Sequence, residues 1–177
     1  FFNQVTIHCF YDDKLINIKF FNNGKIQMTG LKYEEQGENL YNKLYNYFKE
    51  YKDTFDGELK LLNYRIVLIN SDFSLGKDID RDILQNKLLD NNYYSTYEPC
   101  VYPGVNIKYY FNDNNSNGIC NCRSICNGKG CGFGDGECKR VTIAVFKEGN
   151  TIITGAKTRC QLITCKKFIT DFINNKI

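Results

Sequence analysis

Five of the nine cysteines in this 177-residue chain lie close together, with the spacing Cys-x-Cys-x3-Cys-x4-Cys-x6-Cys. The surrounding segment is rich in glycine and cannot build an apolar core, so it needs another source of order. Four thiolates bind Zn²⁺ in a closed tetrahedral structural site. We therefore predict structural zinc held by Cys120, Cys122, Cys126 and Cys138, with Cys131 as an alternative ligand. Disulfides in an oxidising compartment, or free thiols in a loop, are the competing interpretations.

The remaining reactive residues do not favour catalysis. His8 is the only histidine, which disfavours histidine-based metal sites and Ser-His-Asp triads. The sequence pattern contains no carboxylate pair or Cys/His dyad typical of an active site. The glycines of residues 128–136 lack the spacing of a phosphate-binding loop. We therefore predict a protein without enzymatic activity.

Composition limits the class of protein further. The length suits one domain or two small ones. A hydrophobic content of 42% excludes a disordered chain, and no apolar run is long enough for a membrane span. The net charge of +3 is too small to indicate nucleic-acid binding by itself. The abundance of Asn, Lys, Ile, Tyr and Phe follows A/T-rich coding, which favours a source such as a large DNA virus or a fast-evolving protist.

The elements that would position these residues form a repeat. Residues 21–32, FNNGKIQMTGLK, match residues 146–157, FKEGNTIITGAK, at an offset of 125. Upstream, Phe2 aligns with Tyr102 at an offset of only 100. The difference between the two offsets predicts an insertion in the second copy, at 112–140. We expect a first repeat at 1–62, lacking its opening strand and helix because the chain was trimmed or the repeat reduced, and a second at 63–177.

Each copy has the periodicity of a hairpin followed by a helix. Residues 16–20 and 25–29 alternate apolar and polar side chains around a turn at 22–24. The predicted buried face consists of Ile16, Ile18, Phe20, Ile26 and Met28. The predicted open face consists of Asn17, Lys19, Phe21, Gln27 and Thr29. The apolar stripe Leu40, Leu44, Phe48 and Tyr51 predicts a helix from about 34 to 51.

The second copy follows the same plan. A strand is predicted at 141–146, and the apolar stripe Leu162, Cys165, Ile169 and Phe172 predicts its helix. Between the copies we expect a strand at 64–70 and a helix at 80–89. The predicted fold class is α+β, an antiparallel sheet with helices on one face. The uncovered face, which carries aromatic and small residues, is expected to bind a partner.

Two motifs resemble one family. The repeated Phe-x-x-Gly-x-x-x-x-Thr-Gly-x-Lys-x-x-x-Gln pattern, ending at Gln36 and Gln161 and with a Gly-Lys pair in the first copy, resembles the core domain of the TATA-box-binding protein (TBP). Residues 97–104, YEPCVYPG, resemble that family's Tyr-Glu-Pro-Glu-Leu-Phe-Pro-Gly motif. The resemblance implies a saddle of two pseudo-symmetric repeats with helices on its convex face. Its concave face would lie on the DNA minor groove, where aromatic wedges kink the duplex.

The resemblance also implies roles for individual residues. The wedge positions are Phe2, Phe21, Tyr102 and Phe146. Thr29 and Thr154 take base-contacting positions. Gln27 and Ile152 take the family's small apolar position, two residues before each threonine. Lys19 replaces a leucine on the concave face, and Lys108 replaces a phosphate-side arginine. Asn70 lies near the position of an inner-strand asparagine, where direct register places Leu68.

The predicted function is transcription initiation by binding and bending A/T-rich promoter DNA in the minor groove. Partners would be double-stranded DNA and general transcription factors or RNA polymerase subunits, with no membrane. The location would be the nucleus, or a cytoplasmic viral factory or virion. The alternative is an interaction module of the transcription or genome-packaging machinery that has lost sequence-specific DNA binding, which Lys19, Gln27 and Cys100 favour.

The insertion is expected to lie next to Tyr102 and Phe146. There it would contact flanking DNA or dock a transcription partner. The cations that suit a DNA contact are Arg123, Lys129, Lys139 and Arg140.

Overall fold

The computed structural model describes residues 3–54, 57–60, 62–114 and 117–177. The chain divides into two compact units, Phe1–Ile66 and Val67–Ile177. Each unit combines an antiparallel sheet with helices. Among the described residues, no helix is long and apolar enough to cross a membrane.

The first unit is a three-stranded sheet with one long helix. Its strands are β1 (Gln4–Tyr11), β2 (Lys14–Phe21) and β3 (Ile26–Thr29), in the order β1-β2-β3. Strands β1 and β2 are joined by Asp12 and Asp13, whose φ angles of 48° and 56° suit a tight hairpin turn. Helix α1 (Glu34–Glu50) follows, and a short 3₁₀ turn spans Lys52–Thr54.

The predicted faces of this hairpin are confirmed. Ile16, Ile18 and Leu40 form the centre of the core and are at most 2% exposed. Phe20, Ile26 and Met28 pack around them. The stripe of α1 therefore covers the face opposite Lys19 and Gln27, as the alternation of side chains requires.

The second unit has five strands and two long helices. Its elements are β4 (Ile69–Ser74), α2 (Arg81–Asp90), β5 (Tyr94–Glu98), β6 (Tyr102–Phe111), β7 (Lys139–Val145), β8 (Asn150–Ala156) and α3 (Arg159–Lys176). The strand order is β4-β8-β7-β6-β5, and all neighbours are antiparallel. The predicted helix at 80–89 is confirmed within one residue.

Strand pairing confirms the repeat and its two offsets. In the first unit Val5 pairs with Phe20 and Asn17 with Thr29. In the second unit the pairs are Val105 with Val145 and Thr142 with Thr154. The β1 positions are displaced by 100 and the β2 and β3 positions by 125. The insertion, bounded by Phe111 and Lys139, therefore leaves the hairpin register unchanged.

The predicted strand at 64–70 is wrong in position. Strand β4 begins at Ile69, whereas Val67 and Leu68 are 66% and 54% exposed and lie outside any strand. The apolar residues of 64–70 favour a buried strand. In the structure the alternating strand begins later, and Ile69, Ser71 and Phe73 are its more buried side chains. A bulge between Ile69 and Ser71 disrupts the register further.

The position expected for the insertion is also wrong. Strand β6 begins at Tyr102 and ends at Phe111, where the insertion starts, and β7 leads from Lys139 back toward Phe146. The insertion therefore lies at the opposite end of the hairpin from Tyr102 and Phe146. A strand of this length spans about 30 Å, so the insertion is not adjacent to the aromatic pair.

The two units differ in how they cover equivalent apolar residues. In the second unit, beside strand β5 and helix α2, Val105 and Ile107 are 0% exposed. Their equivalents in the first unit, Val5 and Ile7, are 64% and 39% exposed. Within the described part of the first unit no element corresponds to β4, α2 or β5.

Candidate nucleic-acid interface and metal centre

The second unit presents an open sheet face opposite its helices. Strand register aligns side chains on this face into two rows. One row is Asp72, Ile152, Ala144, Asn106 and Thr96. The other is Thr154, Thr142, Lys108 and Tyr94. The centre of both rows is small or apolar, at Thr142, Ala144, Ile152 and Thr154, whereas Asp72 on β4 and Lys108 on β6 add charge.

Two aromatic rings mark one end of this face. Tyr102 opens strand β6 and Phe146 follows β7, and their ring centroids lie 5.7 Å apart at an angle of 58°. Gly104 makes room for them, because a Cβ at that position would lie 3.0 Å from Tyr102 Cε1 and 3.1 Å from Phe146 Cε1. Tyr102 is 38% exposed. The pair therefore offers adjacent apolar edges at the surface.

Lys108 lies within the open face. Its Nζ donates a hydrogen bond to Thr142 Oγ1 at 3.0 Å. Burial, and then the charge of Arg140, lower the pKa of Lys108. Lys108 is thus a half-buried cation on the sheet. Thr142 is its neighbour on the adjacent strand, and Thr154 lies on the strand beyond.

The first unit carries a more polar face at the same positions. Its rows are Thr6, Lys19 and Gln27, and His8, Asn17 and Thr29. Lys19 and Gln27 therefore take the places of Ala144 and Ile152. His8 Nε2 and Asn17 Nδ2 lie 3.2 Å apart.

Phe21 ends strand β2 and is half-buried. Its expected partner Phe2 lies outside the described residues. The geometry of an aromatic pair is therefore described only for the second unit.

Sequence reasoning missed a carboxylate on the open face. Asp72 pairs with Ile152, so it lies in the row that contains Ala144. Asn70 is exposed on the same strand, next to the bulge. The strand predicted at 64–70 leaves Asp72 outside it. The alternation of Ser71 and Phe73 with Asp72 could have revealed its orientation.

The Tyr-Glu-Pro segment forms the turn between β5 and β6. Arg81 lies over the Tyr97 ring, 5.1 Å from its centroid, and donates to Pro103 O at 2.6 Å. Val101 is 80% exposed, and Cys100 is also exposed. The anchored turn thus presents Cys100 and Val101 at the surface.

The insertion brings four cysteines together. The Sγ atoms of Cys120, Cys122, Cys126 and Cys138 all lie within 4.8 Å of one another. Cys138 Sγ is 3.4 Å from Cys122 Sγ and 3.8 Å from Cys120 Sγ. Tetrahedral zinc with four thiolates at about 2.3 Å requires sulfurs about 3.8 Å apart. These four residues can therefore hold a metal ion.

Polar groups and burial shift the pKa values of the clustered thiols in opposite directions. Asn112 Nδ2 lies 3.5 Å from Cys138 Sγ and donates to Gly134 O at 2.7 Å. Burial raises the pKa of Cys126, but hydrogen bonds, including those from the backbone N–H groups of Gly128 and Cys138, outweigh it and leave this pKa lowered. Burial is the largest cause of the raised pKa of Cys138. A bound cation would offset that cost of charging a buried thiol.

Cys131 lies apart from the cluster. Its Sγ is 3.9 Å from Glu137 Oε2 and the residue is exposed. Its backbone oxygen accepts a hydrogen bond of 3.5 Å from Gln161 Nε2, which ties it to helix α3. The structure therefore groups the four favoured cysteines and excludes the alternative one from their cluster.

This chain is similar in sequence to a curated viral protein. A protein of Acanthamoeba polyphaga mimivirus described as TATA-box-binding protein-like is 32% identical over 196 aligned residues, which cover 96% of this chain and 47% of that protein. This chain thus spans about half the length of that curated relative. No family model matches the chain.

A solved structure shares the fold. Methanococcus jannaschii TBP superposes with a TM-score of 0.58 at 19% identity, covering 96% of this chain and 78% of that one. Likeness at that identity bears on the fold alone.

Proposed function

We propose that this chain, a divergent TBP-like protein with an α+β TBP-like fold, is a transcription initiation factor that binds and bends A/T-rich DNA through the minor groove. The mimivirus relative supports the TBP-like identification made from the sequence motifs, and the Methanococcus jannaschii structure supports the TBP-like fold. The observation that carries the proposal is the Tyr102–Phe146 ring pair at the end of an open sheet face. Phe21 takes the equivalent position in the first unit.

The wedge mechanism follows from the chemistry of these rings. An aromatic edge inserted between two base pairs unstacks them and kinks the duplex toward the major groove. Ala144 and Ile152 allow close approach to the flat groove floor, while the Thr142 and Thr154 hydroxyls can donate to base acceptors. In this proposal Gln27, Thr29 and Lys19 supply further donors in the first unit, and Asn70 supplies one at the β4 edge.

The test is binding to A/T-rich duplexes with a bend-sensitive fluorescence readout. Phe146→Ala and Phe21→Ala should each weaken binding roughly tenfold or more and reduce the bend, since burying a Phe side chain contributes about 1.5–3 kcal/mol. Phe133→Ala is the matched control, because this ring is 59% exposed in the insertion rather than on the sheet. Tight binding and full bending in both wedge variants would reject the mechanism.

A second function is favoured by one observation. Asp72 places a carboxylate on the open face, where it would repel phosphates and cannot donate to groove acceptors. The alternative is a TBP-fold interaction module of the transcription or genome-packaging machinery without sequence-specific DNA binding. Failure of the wild-type chain to bind duplexes of any sequence, with its fold intact, would favour this alternative.

We also propose that transcription partners dock on the turn between β5 and β6. Support comes from the exposed Val101 and Cys100, which the contacts of Arg81 hold in place. Val101→Lys should weaken capture of general transcription factors or RNA polymerase subunits and leave DNA binding unchanged. A variant that retains full capture would contradict this assignment.

Structural zinc is proposed for the four clustered cysteines. Its support is the mutual distance of the four sulfurs. Purified protein should contain one equivalent of zinc, and Cys126→Ser should reduce it strongly. Cys131→Ser, the matched control outside the cluster, should leave it unchanged. Zinc loss in the control alone, or none in Cys126→Ser, would overturn the assignment.

A further inference from the structure

The insertion contacts the start of strand β7 through its backbone. Gly128 O accepts a hydrogen bond of 2.8 Å from Arg140 N, and Gly130 N donates to Cys138 O at 3.1 Å. Lys129 and Lys139 pair between these two bonds as an isolated antiparallel bridge. The insertion thus extends the sheet locally beside Arg140.

Gly128 also packs against two side chains of the open face. A Cβ added at Gly128 would lie 2.7 Å from Arg140 Cβ and 3.1 Å from Tyr110 Cε1. Arg140 pairs with Tyr110, and two residues along the strands Thr142 pairs with Lys108, so these side chains share a face. The backbone at Gly128 therefore fixes the base of the Arg140 side chain on the face that carries Lys108.

Arg140 and Lys108 are two cations on the same face of the sheet. Neither forms a salt bridge with any residue that the structure describes. Arg140 is exposed, and its charge reaches Lys108, whose pKa it helps to lower. Cations that face each other on a surface without carboxylate partners favour an anion, and a phosphate accepts the paired donors of an arginine.

Two of the four clustered cysteines flank this contact. Cys126 precedes Gly128 by two residues and Cys138 precedes Arg140 by two. A metal ion held by both would fix the separation of the two segments that meet at Arg140. Without the ion, that separation would depend on hydrogen bonds such as those of Arg140 N with Gly128 O and of Gly130 N with Cys138 O.

We infer that metal binding by the cysteine cluster positions Arg140, beside Lys108, for contact with a DNA phosphate at the end of the open face opposite Tyr102 and Phe146. This inference rests on the proposed DNA-binding function. It makes DNA affinity depend on the metal through one phosphate contact, with the aromatic wedges unaffected.

The salt dependence of DNA binding tests the inference. Each phosphate contact contributes about 0.9 to the slope of log affinity against log salt. Arg140→Gln should lower the slope by about 0.9, so the wild-type chain should lose about 3.5-fold more affinity than the variant between 50 and 200 mM salt. Removing the metal with a chelator should lower the wild-type slope equally and leave the Arg140→Gln slope unchanged. Lys87→Gln, on helix α2, controls for loss of one positive charge.

Gly128→Ala separates positioning from loss of the ligands. It keeps all four cysteines, but Gly128 has a φ of 70° and its N–H hydrogen-bonds Cys126, so the metal content of the variant is measured first. With the metal retained, the added Cβ displaces Arg140 and the slope should fall as in Arg140→Gln. Slopes unchanged by chelation or by Gly128→Ala, with DNA still bound, would overturn the inference alone. No DNA binding by any form would overturn the proposed function and this inference together.

Discussion

Single side chains set the charge of the open faces, which in the proposed function would meet a DNA duplex. Lys19 and Gln27 replace the central Ala144 and Ile152 of the second unit, so the two faces are not chemically equivalent. Asp72 is the one acidic side chain in the two rows of the second unit, and Lys108 is the one lysine. We expect removal of Asp72 to be more informative than removal of any single lysine.

Asp72→Asn should strengthen DNA binding. The substitution removes a negative charge from the proposed interface at nearly constant shape and adds a donor for groove acceptors. We expect roughly threefold to tenfold tighter binding, on the order of 1 kcal/mol, measured by fluorescence anisotropy at constant salt. Asp82→Asn, on the exposed surface of helix α2, is the charge-matched control. Equal gains in both variants would show a nonspecific effect of net charge.

The buried thiol of Cys165 should make the folded protein less stable as the pH rises into the alkaline range. Burial raises the pKa of this thiol to about 12, above its ordinary value of 9.0. The folded chain therefore keeps a proton that the unfolded chain loses. The contribution is complete below about pH 9 and declines as pH rises toward 12, by at most about 1.4 kcal/mol per pH unit.

Urea unfolding at a series of pH values measures this slope. Cys165→Ala should make the loss of unfolding free energy above pH 9 shallower. Cys160→Ala, an exposed cysteine on the same helix, should keep the wild-type slope. Identical slopes in both variants would refute the role of Cys165. Burial also raises the pKa of Tyr109 and the charge of Cys165 adds to that rise, so Cys165→Ala reduces the contribution of Tyr109 to the slope in the same direction.

At the scale of elements, the repeated glutamine of the sequence motif gains a physical role. Gln36 Oε1 accepts from Lys32 N at 3.1 Å and from Tyr33 N at 3.2 Å, at the start of helix α1. Gln161 Oε1 accepts from Lys157 N at 2.8 Å, at the start of α3. Each glutamine satisfies backbone donors at a helix start. The motif therefore encodes the junction between the last strand and the helix.

Gln161→Ala should destabilise the second unit more than Gln36→Ala destabilises the first. Gln161 is 2% exposed and also donates to Cys131 O, whereas the bonds of Gln36 are exposed. We expect a loss of about 1–3 kcal/mol for Gln161 and about 0.5–1.5 kcal/mol for Gln36. Thermal unfolding of the two variants gives the comparison. A larger loss for Gln36→Ala would contradict this assignment.

Much at this scale could be predicted because the repeat fixed the alternation of side chains. The faces of β2 and β7 and the apolar stripes of the long helices followed from periodicity. The position of β4 did not, because its polar alternation resembles a turn and a bulge breaks its register. The separation of Cys131 from the four clustered cysteines is a matter of loop geometry, which the spacing of the cysteines does not reveal.

At the scale of the whole molecule, the two units have cores of different size. The fully buried core of the first unit is Ile16, Ile18 and Leu40, with partly buried residues around it. That of the second extends across all its central strands and both helices. Since buried apolar area is the main source of stability, the first unit should open more easily.

Hydrogen exchange should therefore be faster in the first unit. Amides of β1–β3 should show lower protection than those of β6–β8 in the native protein. Leu40→Ala, which removes a buried side chain at a cost of about 2–5 kcal/mol, should lower protection in the first unit and spare the second. Uniform protection of both sheets, unchanged by the substitution, would refute the difference.

The exposed apolar side of strand β1 has a practical consequence for anyone who purifies this chain. Val5 and Ile7 lie on an edge strand whose residues, Gln4–Tyr11, include no Lys, Arg, Asp or Glu. Charged residues and prolines are the usual protection against edge-to-edge pairing of sheets. Concentrated samples should therefore form intermolecular β-structure with time, and Val5→Lys or Ile7→Lys is the substitution to try first for a stable stock.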